Sequence, residues 1–408
     1  MTQPSLATPP PVWRAPGMPA LLVLTAAGFG GFVVLIPVAP LWAIQGGATE
    51  AGSGWVNGIL LLVTVMTQPF VPRLLARLGT GRVLAAGLAL LGVPPLLLLV
   101  SDQLAWILAI SAVRGVGFGI LTVTGSTVVA NLVDRTQHGA AVGIYGASIA
   151  IPQILLVPAA TLLADTVGFW SVFALGALPL LGISSAPRLA RILREQAAER
   201  EPLPATGATP IAPPPGGKSA RWMLAVTLLR PMMLLSGVTL AGGALITFAP
   251  QMSSSAAATA GSLALLTLSA AVTRWAIGGL SDRFGANRFL WPLVIIAVAG
   301  LLAIAAAVQN PAATGILLFL VGMTLVGIAY GGLQNLTLVI SLAAVQRKQY
   351  GTASAVWNIG FDLGTALGSV LIGTLATAFG FPPAILVAAA ISLLTLPLAF
   401  RRGPKVTA

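Results

Sequence analysis

Along this chain the apolar residues come in long blocks separated by short polar breaks. Twelve blocks can be traced, at 18–43, 53–72, 83–100, 104–132, 139–164, 167–186, 231–250, 257–280, 289–308, 312–342, 350–377 and 382–400. At a helical rise of ~1.5 Å per residue, about 20 residues cross a hydrocarbon core ~30 Å thick. Each block is therefore expected to be one membrane-spanning helix. The first block is too long for a signal-peptide core and has no clear cleavage site, so it reads as span 1.

The polar breaks repeat. Pro72-Arg-Leu-Leu-Ala76-Arg77-Leu-Gly79-Thr-Gly-Arg82 lies between spans 2 and 3, and Gly278-Gly-Leu-Ser-Asp282-Arg283-Phe-Gly285-Ala-Asn-Arg288 lies between spans 8 and 9. Arg77, Gly79 and Arg82 align with Arg283, Gly285 and Arg288 at a spacing of 206 (Arg77 to Arg283). At a spacing of 212 (Pro19 to Pro231), Gly30 and Gly31 match Gly242 and Gly243, Gly139 and Tyr145 match Gly351 and Trp357, and Gly168-Phe169 matches Gly380-Phe381. Six spans per half make both halves enter the membrane in the same sense, which is the parallel-repeat plan of many transporters. The expected fold is an all-α membrane protein, with twelve transmembrane helices in two pseudo-symmetric six-helix bundles. Its expected parts are a cytoplasmic tail (1–17), an N-terminal bundle (18–186), a Pro-rich cytoplasmic linker with a short amphipathic start (187–230), a C-terminal bundle (231–400) and a cytoplasmic tail (401–408).

Composition agrees with a bilayer. Only 7% of residues are charged, against about 25% in soluble domains, and the mean hydropathy is +0.97. A net charge of +12 would ordinarily suggest a nucleic acid. Here the bases gather in the loops on one side, while the opposite loops hold Glu50, Asp102 and Asp165 and no base. That asymmetry is the positive-inside pattern. It puts both termini in the cytoplasm and removes the case for nucleic acid. There is no cysteine and one histidine, His138, so disulfides, thiolate metal sites and His-based zinc sites are not expected. No P-loop, paired carboxylates or soluble catalytic domain is present. The chain is read as not an enzyme, without cofactor or metal, and driven by a gradient.

Charges inside spans carry the candidate mechanism, since one at the bilayer centre costs roughly 2.5–3.5 kcal/mol on the mildest scales. Asp362 lies about thirteen residues into span 11 and is the one acid placed that deep. It is read either as a proton-coupling or cation-binding carboxylate, or as a structural acid satisfied by neighbouring hydroxyls or amides. Arg114, mid-depth in span 4, either binds an anionic group, tunes an acid, or braces span 1 through its carbonyls. Arg274 lies two turns inside span 8 and is left open between a structural and a functional role. Gly360, Gly364 and Gly368 form first a close-packing face of span 11 and only second a hinge.

The duplicated loop together with Arg114-Gly115-Val-Gly117-Phe-Gly119 resembles the major facilitator superfamily over almost the whole chain. Val272-Thr-Arg274 and Asn358-Ile-Gly-Phe-Asp362-Leu-Gly364 look most like bacterial efflux-type, drug:proton antiporter-like members. The resemblance implies alternating access around a cavity lined mainly by spans 1, 4, 7 and 10, a proton-transfer role for Arg114 beside Asp362, and a monomer in the bacterial inner membrane. It also implies that Asp282, Arg283, Gly285 and Arg288, with Arg77 and Arg82, latch the cytoplasmic side, Asp282 lying against the start of span 5 near Gly139. Arg283 and Arg288 can also hold lipid phosphates. Ala76 and Pro72 depart from the family pattern, so the latch is expected to be stronger at spans 5 and 8. The Gly-Pro motif of efflux members in span 5 is reduced to Pro152.

Phe29, Phe32, Phe118, Thr122, Tyr145, Thr239, Tyr330, Gln334, Asn335, Trp357 and Asn358 are the candidate substrate-binding residues. Aromatic walls with a few amides and hydroxyls suit a small amphipathic organic molecule. Three readings follow: a proton-coupled exporter of such molecules, an importer or facilitator of a small anionic metabolite, or a non-transporting membrane sensor.

Overall fold

The computed structural model describes residues 11–132, 138–200, 218–253, 255–310, 313–345 and 350–400. Every regular element among them is helical. Twelve helical stretches are long and apolar enough to cross a membrane. Spans 1 to 6 are Met18–Gln45, Glu50–Leu78, Thr80–Val100, Leu104–Val129, Gly143–Thr166 and Phe169–Gln196. Spans 7 to 12 are Val226–Met252, Ala256–Ser281, Ala286–Gln309, Gly315–Ala343, Thr352–Phe379 and Phe381–Phe400.

The clearest difference from the expected boundaries is at the centre of the chain. Helix occupies Ser185–Arg200 and resumes at Lys218, running unbroken to Met252. Both ends of the segment expected to be a linker are thus helical, and the rest, 201–217, lies outside the described residues, as do the tails 1–10 and 401–408. Pro187 sits in the first turn of its helix, where a missing N–H costs nothing. Pro231 is carried inside its helix. The neighbouring Arg230 fastens that level to the rest of the half, donating from Nε to the Leu398 carbonyl and from Nη2 to Asn287 Oδ1, both at 2.9 Å.

Prolines also break two spans of the first half. Span 1 interrupts at Val34, between helices Met18–Val33 and Leu35–Gln45, because Pro37 cannot donate to the Val33 carbonyl. Span 2 narrows to a 3-10 turn at Gln68–Phe70, between Glu50–Thr67 and Val71–Leu78, around Pro69 and Pro72. This second break places Gln68.

The two halves repeat in backbone and in packing. Gly79 and Gly285 end their helices at φ 82° and 84° with ψ 154° and 133°, a region closed to residues with a Cβ. Gly168 and Gly380 form a second pair, at φ 112° and 81°. A Cβ on Gly115 would strike the Leu60 carbonyl, and one on Gly119 the Thr64 carbonyl. In the second half, Gly327 and Gly331 face the carbonyls of Leu266 and Ala270 in the same way. Span 4 therefore lies on span 2 as span 10 lies on span 8, and the spacings of 206 and 212 hold residue by residue. Gly364 and Gly368 press on Ser236 and Leu240, and Gly360 on Met232, so this stripe packs span 11 onto span 7.

The halves meet chiefly where span 2 packs on span 11 and span 5 on span 8. Toward the face whose loops carry acids and no base, Asn57 Nδ2 donates to the Ile36 carbonyl (2.8 Å) and to Thr247 Oγ1 (3.0 Å). Thr247 in turn meets Ser369 Oγ at 3.0 Å. Gln251 donates to Ser53 Oγ, and Ala51 N to Thr377 Oγ1 at 2.8 Å.

Candidate functional site

At mid-depth the two halves are joined by one hydrogen bond of a different kind. Gln68 Nε2 donates to Asp362 Oδ2 at 2.9 Å. Both residues are buried, at 7% and 6% exposure. The carboxyl group belongs to span 11 and its donor to span 2, so any change in its ionisation acts directly on the contact between halves. The Asp362 side chain meets an amide, as one of the sequence readings allowed, and that amide lies on the other half.

Toward the base-rich face this contact gives way to a cleft of about 630 Å³, lined by Gln68, Pro72, Thr122, Ser126, Ser354 and Asn358, among others, from spans 2, 4 and 11. The cross-half hydrogen bonds described above all lie between mid-depth and the opposite face. Among the described residues, the halves are thus joined toward the acid-bearing face and separated by this cleft on the base-rich side. Asp362 sits about one helical turn beyond Asn358 and meets the cleft through Gln68, which lines it.

A second polar cluster lies where spans 5 and 8 meet spans 7 and 10. Arg274 Nη1 donates to Gln334 Oε1 at 3.2 Å, and Asn335 Nδ2 donates to the Arg274 carbonyl at 2.9 Å. Tyr330 lies within electrostatic reach of both Arg274 and Asp362. Its ring rests where Gly242 leaves room, 6.1 Å from Phe361. Arg274, Gln334, Tyr330, Gln153 and Ala150 line a cavity of about 30 Å³, enough for one or two water molecules.

The other expected residues are placed differently. Phe29, Phe32 and Phe118 pack on each other: Phe32 stacks on Phe118 at 3.7 Å, and Phe29 meets Phe118 edge-on at 5.3 Å. They form a wall between spans 1 and 4, with Phe29 and Phe118 buried and Phe32 partly so. Arg114, 1% exposed, donates from Nη2 to the Phe32 carbonyl at 3.3 Å, while its Nε has no partner. Of its three readings, bracing span 1 is the contact observed. It does not meet Asp362. Tyr145 is buried against Gly125, Thr239 is fully buried, and the Trp357 indole donates to Thr337 Oγ1 at 3.0 Å. Arg77, Arg82, Arg283 and Arg288 are exposed. Asp282 lies in the last turn of span 8's helix, but its side chain is outside the described residues, so its expected contact near Gly139 is as well. The cleft is lined by spans 2, 4 and 11 and the small cavity by spans 5, 7, 8 and 10, so span 1 lines neither of these two.

Sequence reasoning missed Gln68. The available signal was an amide directly before a proline inside an apolar block.

Comparison with known proteins agrees with this architecture. A bacterial homologue of the human lysosomal transporter Spinster, in an inward-facing and unoccupied conformation, superposes with a TM-score of 0.70 at 15% identity, covering 97% of each chain. A D-xylose–proton symporter gives a TM-score of 0.74 at 13% identity over 95% of this chain and 98% of its own. The nucleoside transporter NupG gives 0.63 at 12% identity, covering 94% of this chain and 99% of its own. In sequence, 137 residues are 27% identical to the uncharacterized MFS-type transporter YbcL of Bacillus subtilis (strain 168), a stretch covering 34% of this chain and 35% of that relative. The model of the Major Facilitator Superfamily matches residues 21–336 and 295–408. Twelve spans in two repeating halves and a family match along nearly the whole length lead to one conclusion: the chain belongs to the Major Facilitator Superfamily of membrane transporters.

Proposed function

We propose that this chain is a proton-coupled secondary transporter that exports small amphipathic organic molecules by alternating access. The observation that carries the reading is the buried Asp362 carboxyl group, held by Gln68 of the opposite half. An ionised carboxylate is a strong acceptor for that amide, and a protonated one is weaker and costs less to bury. Proton binding therefore alters the affinity of the halves for each other, which is what a coupled rocker needs. Basic loops on the open side make that side cytoplasmic by the positive-inside rule. Substrate would then enter the cleft from the cytoplasm, and release would follow once the network around Asn57, Thr247 and Ser369 opens.

Export rests on the efflux-like residues around Arg274 and Asp362. A second reading, uptake of an anionic metabolite, is favoured by the cation that lines the cavity among spans 5, 7, 8 and 10, although Arg274 takes the place given earlier to Arg114. The D-xylose–proton symporter among the structural neighbours shares the fold under either direction.

Purified protein in liposomes with an imposed pH gradient, in both orientations, is the test. Wild type is expected to move substrate against its gradient while protons run down theirs, and Asp362→Asn is expected to lose the dependence on the pH gradient. Gradient-driven transport by Asp362→Asn at the wild-type level would overturn the proposal.

A further inference from the structure

The internal repeat compares two mid-depth contacts between the halves. The spacing of 206 carries Gln68 of span 2 onto Arg274 of span 8, and that of 212 carries Asp362 of span 11 onto Ala150 of span 5. The first spacing is the one at which Leu60 and Thr64 correspond to Leu266 and Ala270 in their contacts with the glycines of spans 4 and 10. Where spans 2 and 11 place an amide against a carboxylate, spans 5 and 8 place a guanidinium and a methyl group around one cavity. Ala150 and Arg274 line one cavity, of about 30 Å³. That is space for roughly two oxygen-sized atoms, at the position where the related contact has its carboxyl group.

The chemistry of the lining has one sign. A guanidinium has five N–H donors in a planar fork suited to carboxylates. Arg274 gives one bond to Gln334, and its backbone is tied to span 10 through Asn335. No carboxylate lines the cavity, and Arg274 forms no ion pair among the described residues. Gln153, also in the lining, has no hydrogen-bond partner among them. Arg274 is among the exposed residues of span 8, while its guanidinium end is held in this polar cluster.

We infer that the Arg274–Ala150 cavity is a subsite for a carboxylate carried by the transported molecule, which supplies the acid that the repeat lacks. This narrows the substrate to small organic carboxylates. It rests on the transporter reading above, but not on Asp362 being the coupling group.

The test is binding in detergent at fixed pH, which does not require proton-driven flux and so can fail separately from the coupling proposal. A set of small aromatic and aliphatic carboxylates, phenylacetate and benzoate among them, is measured by thermal shift and calorimetry beside the matching carboxamides. At least one carboxylate is expected to bind wild type about 10-fold or more tightly than its amide. Ala150→Asp places an internal carboxylate in the cavity and is expected to abolish that preference while raising thermal stability. Ala150→Asn, of nearly equal volume and no charge, is expected to retain most of it. Arg274→Lys should keep a reduced preference and Arg274→Gln none. The absence of any carboxylate preference in wild type, or equal losses in Ala150→Asp and Ala150→Asn, would overturn the assignment.

Discussion

Spans 2 and 11 meet at mid-depth through an amide and an acid, while spans 5 and 8 set a guanidinium and a methyl group around a small cavity. The frame around the two contacts is nearly the same. Glycines of spans 4 and 10 press on equivalent carbonyls, and the loops after spans 2 and 8 turn through glycines of the same unusual backbone. The difference teaches that a duplicated scaffold need not duplicate its chemistry. One contact is complete within the protein and holds a group that can take up a proton. The other is short of a negative charge and leaves room for it. A transporter has to sense both a proton and a solute, and the two proposals above give one of these contacts to each.

The comparison breaks most sharply if the two contacts are made alike. Gln68→Arg gives spans 2 and 11 the guanidinium of spans 5 and 8, directly beside Asp362. The resulting buried ion pair is expected to hold the halves together and to slow transport about 100-fold, or ~3 kcal/mol, within the range measured for close charge pairs at interfaces. Flux in liposomes checks this, with thermal unfolding as the control for folding. Transport at the wild-type rate would mean that the Asp362 contact does not move during the cycle.

Equality of the frames can be tested at the loops. Alanine at Gly79 or at Gly285 is forced into the same unfavourable backbone, at a cost of about 1–3 kcal/mol. Thermal midpoints are expected to fall by similar amounts in the two variants, and a fall in one alone would separate the halves.

The smallest effect is expected at the seal. Asn57→Ala removes donors to Ile36 and Thr247, about 1 kcal/mol, and should move the balance toward the state open at the acid-bearing face roughly 5-fold. Because the chain has no cysteine, a single Ser53→Cys can report this by its rate of labelling with a membrane-impermeant thiol reagent. An unchanged rate would show that this seal does not set the balance.

Much of the fold was legible in the chain. Twelve apolar blocks gave twelve helices because a bilayer leaves a span no other way to satisfy its backbone. At the centre of the chain, the expected amphipathic start is the helix Ser185–Arg200, while the helix of span 7 begins earlier than its apolar block, at Lys218. Pro187 sits where a helix begins, and Pro231 is held inside one. Asp362 was legible as well, since an acid in an apolar block is costly and rare. Arg114 looked equivalent to it by the same rule. Its contact with the Phe32 carbonyl appears only when span 1 is laid against span 4. The aromatic residues make a related point: composition cannot distinguish a ring that faces a cavity from one that faces another ring, as Phe29, Phe32 and Phe118 do.

By itself, then, the sequence determined the number of spans, the repeat, the side that carries the bases and the depth of each charge, because hydrophobic length and charge cost are local properties of the chain. The partners of those charges were decided only by the tertiary structure. Gln68 lies 294 positions from Asp362, and the space between Ala150 and Arg274 exists only where four helices from two halves converge. Such contacts depend on which faces of the helices turn inward, and that is a property of the packed bundle.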